Sequence, residues 1–269
     1  MKRTLSVCAL VFLFFNTLQA QAWRNKYTMV KEFVSNRALV WGDNGWGFVN
    51  ESGTEIIPCI YDWAYSFSQG YAQVQKNKKW GFIDTNGVVI IPIEYDHIET
   101  YSCERFPVSK NNKWFYLDKT KSVILSDLEF KDPKNHKTFN MYCCLWVYKD
   151  KKWKLINIDG KELTSLSFDE VGYFSDRLCL VKKGNKYGFV DSTGSVVVEI
   201  NLNDAERFND GLAPVKKEKR WGYINLNGEV VIPFMYDEAN YFITGRASVK
   251  KDNKTYYIDK QNKCIKDCP

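Results

Sequence analysis

Residues 78–87 read KKWGFIDTNG, and the same phrase returns as WGFVNESG at 46–53 and as RWGYINLNG at 220–228. Aligned on the tryptophan, seven equivalent positions follow one another at steps of 34, 34, 39, 34, 34 and 34 residues. A fixed period between about 20 and 50 residues indicates a repeat architecture. The positions are Trp46, Trp80, Trp114, Trp153, Tyr187, Trp221 and Thr255.

The residues around each tryptophan predict a strand, a turn and a second strand. A tryptophan-led run of aromatic and β-branched residues is typical of a strand. The Asp or Asn that follows opens a turn through its side chain, and a residue three positions later takes positive φ. A proline such as Pro58, Pro92 or Pro233 is expected to mark the end of the next strand. The predicted turn glycines are Gly53, Gly87, Gly160, Gly194 and Gly228, with Asn262 and Lys121 at the equivalent positions of the last and third units.

Together these columns predict an all-β protein of about seven antiparallel meander units. Each unit has three strands and a short extended connector, and neighbours must stack because one unit cannot bury its aromatic face alone. The tryptophan column is expected to form the core, and the glycine after it to leave room for the neighbouring repeat's ring. Three strands in 34 residues favour an open β-solenoid or superhelix, with a β-propeller as the alternative.

The ends of the chain predict an exported protein. Residues 1–20 combine a basic start, a short apolar run and small residues, which is typical of a signal peptide cleaved after Ala20 or Ala22. The mature chain has no run long enough for a transmembrane segment. We therefore expect a periplasmic, cell-surface or secreted protein. The repeat domain is predicted over 33–265, with a degenerate middle and an insertion near 119–140.

The phased motif W-G-[FY]-[IV]-[DN]-x-x-G resembles the WG-containing repeat family of bacteria. The resemblance covers roughly residues 33 to 265, although the third, fourth and seventh units depart from the Trp-Gly pair. It implies a repeat-built and often exported protein that binds rather than catalyses. No catalytic residues are implied by the resemblance.

The tips between the tryptophan strand and the strand before it concentrate positive charge. The chain carries a net charge of +6, but these seven five-residue tips hold 18 Lys and Arg and only four acids. Equivalent loops of a repeat array lie on one edge. The tips therefore predict a basic ridge, with the acidic surface elsewhere; solvated hairpin tips that block edge-to-edge aggregation are the alternative. The ridge residues are Lys76, Lys110, Lys151, Lys183, Lys217, Arg220 and Lys251.

The cysteines and histidines give weak support for a metal site, and no cofactor or metal is predicted. Cys264 and Cys268 are the likeliest disulfide pair, and the remaining cysteines are expected to be scattered buried residues. Cys143 and Cys144 would point to opposite faces of a strand. His97 and His136 have no recognisable nucleophile partner.

Three functions compete on these observations. The first is an exported, non-catalytic binding or scaffolding module that engages an unknown protein or an anionic glycan or envelope surface through the tips, nucleic acid being a poor candidate. The second is glycan binding through aromatic side chains outside the tryptophan column: Trp23, Trp41, Trp63 and Trp146. An enzyme is disfavoured because the recurring Asp62, Asp96, Asp169 and Asp237 serve the repeat, whereas a catalytic residue should break the pattern.

Overall fold

The computed structural model describes residues 22–128 and 140–269, and its strands form seven antiparallel sheets. The predicted signal peptide lies outside the described residues, except for Ala22. Residues 129–139, inside the predicted insertion, also lie outside them. A short 3-10 helix at Trp23–Lys26 precedes the first strand.

Six of the sheets contain four strands and one contains two, always in chain order. Sheet 1 comprises β1 Met29–Val34, β2 Arg37–Gly42, β3 Gly45–Val49 and β4 Glu55–Tyr61; sheet 2 comprises β5 Trp63–Ala64, β6 Tyr71–Lys76, β7 Lys79–Asp84 and β8 Val89–Tyr95; sheet 3 comprises β9 His97–Ile98, β10 Phe106–Lys110, β11 Lys113–Leu117 and β12 Val123–Leu128; sheet 4 comprises β13 Cys144–Lys149 and β14 Lys152–Asn157; sheet 5 comprises β15 Glu170–Ser175, β16 Leu178–Lys183, β17 Lys186–Asp191 and β18 Val196–Leu202; sheet 6 comprises β19 Asp204–Ala205, β20 Leu212–Lys217, β21 Arg220–Asn225 and β22 Val230–Tyr236; sheet 7 comprises β23 Glu238–Ala239, β24 Arg246–Lys251, β25 Lys254–Asp259 and β26 Cys264–Lys266.

The all-β repeat fold is confirmed, but the complete repeat has four strands rather than three. The extended connector pairs with the next hairpin, so that Trp63 lies opposite Gln75 and Ala64 opposite Val74. In four of the sheets these connector strands are only two residues long. Two residues are too few to show the alternation of apolar and polar residues that identifies a strand in a sequence. Because a propeller blade also has four strands, the strand count no longer favours the open form.

The sheets divide between two compact units. The first unit, which ends at Asp127, contains sheets 1 to 3, and the second, from Leu128, contains sheets 4 to 7. Within each unit the apolar clusters join neighbouring sheets. One cluster combines Phe48 of sheet 1 with Phe67, which precedes β6, and another combines Tyr223 of sheet 6 with Phe242, which precedes β24. Each unit is therefore held by contacts between successive repeats.

The most deeply buried side chains lie two positions after the tryptophan column. Phe48, Phe189 and Tyr223 are at 0% exposure. Each meets an aromatic side chain of the following repeat, with ring centroids 4.7 to 4.9 Å apart, in an arrangement favoured by the ring quadrupole. The buried column consists of Phe48, Phe82, Tyr116, Leu155, Phe189 and Tyr223.

The tryptophan column itself is only partly buried. Trp46, Trp114 and Trp153 are buried, whereas Trp80, Tyr187 and Trp221 are half-buried. The expectation that this column forms the continuous core is therefore wrong for Trp80, Tyr187 and Trp221, and Thr255 at the seventh position is exposed. The tryptophan and the residue two positions later share one face of the strand, but the tryptophan lies next to the residue pair that closes the hairpin, as Trp80 does beside the Lys76–Lys79 pair, and so stands at the end of the sheet.

The glycine after the tryptophan makes space for backbone of its own sheet, not for a neighbouring ring as expected. A Cβ at Gly47, Gly81, Gly188 or Gly222 would lie 2.6 to 2.7 Å from a carbonyl oxygen of the next strand. That strand is bulged, because Trp46 pairs with Tyr61 while Phe48 pairs with Ile57. The strand continues past its proline, which lies within the bulged segment and does not mark the strand's end.

The turns follow the predicted chemistry. The main-chain N–H groups of Asn86 and Val88 both donate to Asp84 Oδ1 at 2.9 Å, and Gly87 N–H donates to the Asp84 carbonyl. Gly87 has φ +83°. Lys121 keeps the turn without glycine at φ +67°. The positive φ expected at this position is confirmed at Gly53, Gly87, Gly160, Gly194, Gly228, Asn262 and Lys121.

The cysteines follow the predicted division only in part, because Cys103 and Cys143, which were expected to be scattered buried residues, are also disulfide-bonded. Cys264 and Cys268 form a disulfide. Cys144 and Cys179 are free and buried, and Cys59 is free and half-buried. Burial raises the pKa of Cys179 to about 12, so that its thiol stays protonated at neutral pH. The buried thiols are therefore apolar packing elements.

Candidate functional site

The basic tips are tight two-residue turns, shorter than the five-residue loops that the sequence suggested. Asn77 and Lys78 both have positive φ, as a type I′ hairpin requires. As a result, the two residues that flank the turn, one ending the first strand and one beginning the second, face each other directly. In six of the seven hairpins both of these residues are cationic. Like charges directly opposite on a sheet are destabilising. The pairs are Lys76–Lys79, Lys110–Lys113, Lys149–Lys152, Lys183–Lys186, Lys217–Arg220 and Lys251–Lys254.

The recurring aspartates cap these tips. The main-chain N–H of Asn111 donates to Asp96 Oδ2 at 2.8 Å, and that of Gly184 donates to Asp169 Oδ2 at 2.8 Å. Asp62 and Asp237 accept equivalent bonds from the turns of their own sheets. The recurrence of these carboxylates is thus explained by turn geometry.

Three of these aspartates also bind a cation on the tip of the preceding sheet. Lys79 Nζ donates to Asp96 Oδ1 at 2.5 Å, and Lys152 and Asp169 form the same ion pair. Hydrogen bonds from Lys79 and from the Asn111 main chain lower the pKa of Asp96. These ion pairs bring together the tips of sheets 2 and 3, of sheets 4 and 5, and of sheets 6 and 7.

The expectation that the acidic surface lies away from the basic tips is therefore wrong. Carboxylates stand among the tips, and Lys110, Lys182 and Lys250 also form ion pairs, with Glu94, Glu170 and Glu238 respectively. These acids are 12 to 17 residues away from their partners in the chain. These acids are placed at the tips by the register of the sheets, and counting the charges in the loops could not predict that register.

Uncompensated charge is concentrated in the second unit. Its four tips carry thirteen Lys and Arg against three acids. Four of the cations pair with carboxylates outside the tip segments. Lys216 lies over the Trp221 ring. Eight tip lysines of this unit form neither an ion pair nor a hydrogen bond with another side chain among the described residues. They are Lys149, Lys151, Lys183, Lys186, Lys217, Lys219, Lys251 and Lys254. We call these eight residues the lysine row.

The predicted ridge residues thus divide into two groups. Lys151, Lys183, Lys217 and Lys251 belong to the lysine row, the first three exposed and Lys251 half-buried. Lys76 is exposed in the first unit, while Lys110 is paired with Glu94 and Arg220 with Asp237. The predicted ridge therefore includes two residues, Lys110 and Arg220, whose charges are paired within the protein.

A second candidate surface is a line of aromatic side chains in the first unit. Trp41 meets Trp46, Trp46 meets Trp63, Trp63 meets Tyr65, and Tyr65 meets Trp80, with ring centroids 5.2 to 6.4 Å apart. Trp63 is 47% exposed and Tyr65 is 51% exposed. The Tyr65 and Trp80 rings are stacked at 23°. We call these five residues the aromatic row.

The end of the aromatic row opens into a cleft between sheets 2 and 3. The cleft has a volume of about 600 Å³. Tyr65 and Trp80 form one wall, and the β9 region supplies His97, Glu99 and Thr100 to the other. Its size lies within the range of about 300 to 1,000 Å³ that is typical of small-ligand sites.

The four tryptophans proposed for glycan binding have different positions. Trp63 is exposed, and Trp41 and Trp23 are half-buried. Trp146 is 2% exposed, so its assignment as a surface residue is wrong: its ring packs edge-on against Phe168. Tyr65, which the sequence analysis missed, could have been found as an aromatic residue at a position where other repeats have Glu99, Gly172, Glu206 and Asn240.

Neither a metal-binding cluster nor a membrane-spanning helix occurs among the described residues. No group of three or more His, Cys, Asp and Glu side chains in this part of the chain could hold a metal ion. Among the same residues, no helix has the length and apolar character needed to cross a membrane. His97 lines the aromatic cleft, and His136 lies outside the described residues.

The solved structures that match this chain share little sequence with it. A eukaryotic initiation factor is 12% identical over 88% of this chain and 77% of its own, with a TM-score of 0.44. Hsv2 of Kluyveromyces lactis is 10% identical over 72% of each chain, with a TM-score of 0.37. PorZ, a surface component of the type-IX secretion system of Porphyromonas gingivalis, is 8% identical over 90% of this chain and 38% of its own, with a TM-score of 0.33. Such scores do not establish a common fold.

Sequence comparison gives a clearer result. No curated protein matches the chain. The WG containing repeat, however, matches it five times, at residues 46–80, 80–114, 155–187, 187–221 and 221–254. The gap between the second and third matches coincides with the degenerate middle. Because these matches cover more than half of the sequence and coincide with the repeated sheets, the chain belongs to the WG containing repeat family.

Proposed function

We propose that this repeat-built β protein is an exported, non-catalytic binding module that holds an acidic polysaccharide along the lysine row. The observation that carries the proposal is the repeated pairing of like charges at the ends of the hairpins. Lys183 faces Lys186 and Lys251 faces Lys254, and within residues 22–128 and 140–269 none of these four side chains has a carboxylate partner. An anion lying between the two lysines would relieve their repulsion and gain two attractive contacts.

The arrangement of the lysine row favours a linear polymer. Ion pairs join the tips of sheets 4 and 5 and the tips of sheets 6 and 7. Equivalent loops of a repeat array lie on one edge, and stacked sheets are about 10 Å apart. A chain with regularly spaced negative charges can therefore meet several tips at once, and weak individual contacts add up. Because the lysines are exposed, salt should screen the interaction strongly.

The experiment compares two variants that change the net charge equally. The tip variant carries Lys183→Glu, Lys217→Glu and Lys251→Glu, and the control variant carries Lys31→Glu, Lys161→Glu and Lys263→Glu. All three control lysines are exposed and lie outside the tips. Retention on an immobilised acidic polysaccharide is measured across a salt series. We expect the tip variant to elute at much lower salt than the wild type, and the control variant to elute close to the wild type.

The tip variant has a built-in test for folding. Reversing one member of each like-charge pair creates an attractive cross-strand pair, so the tip variant should unfold at a temperature equal to or above that of the wild type. Equal losses of retention in both variants would show that only net charge matters. Identical elution of all three proteins would show that the lysine row is a solvated edge of the sheets and does not bind the polysaccharide.

A further inference from the structure

The aromatic row is not required by the repeat fold. Trp63 occupies a position held by Met29, His97, Glu170, Asp204 and Glu238 in other repeats, and Tyr65 occupies the position of Lys31, Glu99, Gly172, Glu206 and Asn240. None of these equivalents is aromatic, so the repeat packs without an aromatic ring there. Two large rings that break the pattern while remaining about half exposed are not explained by the core.

The cleft next to these rings combines a flat apolar wall with a polar wall. Tyr65 and Trp80 are stacked, with ring centroids 5.9 Å apart and their planes at 23°, so the two rings do not enclose the cleft as a box would. The polar residues His97, Glu99, Thr100 and Gln73 also line the cleft. The described residues that line the cleft include no lysine or arginine.

We propose that this cleft binds a short neutral saccharide. The C–H groups on one face of a sugar ring carry partial positive charge and fit the negative face of an aromatic ring. The hydroxyl groups at the edge of the sugar need donors and acceptors, which Glu99, Gln73 and His97 supply. The Glu99 carboxylate disfavours an acidic sugar, so this ligand differs from the partner of the lysine row.

The geometry disfavours a quaternary ammonium ligand. Such a cation is held by rings that surround it on several sides. Here the two stacked rings form a single wall, and the facing side is built from β9 and the residues after it. A planar, hydroxyl-rich ring is therefore the better match to the cleft.

The test measures binding of neutral oligosaccharides to the mature chain. Gluco-, manno- and chito-oligosaccharides are titrated by calorimetry and by tryptophan fluorescence. We expect at least one series to bind the wild type, Tyr65→Ala to weaken that binding at least tenfold, and Tyr65→Phe to retain most of it. Tyr173→Ala removes an equally exposed tyrosine outside the cleft and should bind like the wild type.

The outcomes separate this site from the lysine row. Saccharide binding should be insensitive to salt and unchanged in the tip variant, whereas Glu99→Gln should weaken it without changing elution from the acidic polysaccharide. Thermal unfolding of each variant confirms that the exposed side chains were removed without loss of fold. Failure of all three series to bind the wild type, equal affinity of Tyr65→Ala, or a preference for a choline-type ligand would each overturn the proposal.

Discussion

At the scale of single residues, the glycine of the Trp-Gly pair is set by a backbone contact within one sheet. A Cβ at Gly222 would lie 2.6 Å from the Ile232 carbonyl oxygen. Flexible side chains can move away from such a contact, but a carbonyl inside a paired strand cannot do so without breaking the ladder. The need for glycine is thus steric and does not come from positive φ.

Gly222→Ala is therefore expected to lower the free energy of unfolding by about 1 to 3 kcal/mol, the usual cost of forcing an extra methyl group into a packed site. Gly172→Ala is the matched control, because its Cβ would come no closer than 3.6 Å to the Leu180 carbonyl oxygen. Urea unfolding of both variants measures the difference. Equal stability of the two variants would show that the strand beside Gly222 can relax.

At the scale of the hairpin, each aspartate performs two tasks. Asp169 accepts a hydrogen bond from the Gly184 main chain of its own sheet and pairs with Lys152 of the preceding sheet. The Lys152 side chain and the Gly184 main chain together lower the pKa of Asp169 from its ordinary value of 3.8. One carboxylate therefore closes a turn and connects two repeats.

Asp169→Asn should lower the thermal unfolding temperature at pH 7, since the amide keeps the turn bond but loses the ion pair. The folded state lowers the pKa of Asp169, so this group's stabilisation is complete above pH 3.8 and is lost as the pH falls through the folded-state pKa. The difference between variant and wild type should thus shrink in acid. Asp150→Asn is the control, because it also removes a negative charge at a hairpin tip but Asp150 is not one of the capping aspartates. A difference that persists at pH 2 would contradict the ion-pair explanation.

The hairpin also shows what sequence can predict. The Asp84 to Gly87 turn depends on residues that are at most four apart, and its conformation followed from their types alone. The pairing of Lys79 with Asp96 depends on how two sheets meet, so counting charges in the loop placed the acid on the wrong surface. Tyr65 was missed for a similar reason: its exposure depends on the cleft formed with the next sheet.

At the scale of the whole molecule, stability should be local to neighbouring repeats. Phe242 is fully buried in the cluster that joins sheets 6 and 7, whereas Phe67 belongs to the cluster that joins sheets 1 and 2. Repeat arrays in which each unit touches its neighbours behave as a sum of repeat and interface energies. The degenerate middle then interrupts the propagation of stability along the chain.

Phe242→Ala should cost about 3 to 5 kcal/mol locally, as is usual for truncating a buried phenylalanine. Hydrogen exchange is expected to accelerate in the strands between Leu212 and Lys266, and to remain unchanged in the strands between Met29 and Tyr95. Phe67→Ala should give the reverse pattern. Uniform acceleration over all seven sheets in either variant would indicate a single cooperative unit.

The steric role of the Trp-Gly glycine also has a consequence for how such arrays change length during evolution. Where Lys154 replaces the glycine, the strand that would lie beside it is reduced to isolated bridges such as Trp153 to Phe168. The one step of the repeat that departs from 34 residues, the 39-residue interval, runs from Trp114 to Trp153 and so follows Phe115, which also replaces the glycine. Once the close backbone contact is lost, the outer strand no longer fixes the number of residues, and insertions and deletions become tolerable. We accordingly expect the fold to tolerate a foreign peptide inserted between Asn157 and Phe168, where isolated bridges replace a continuous strand.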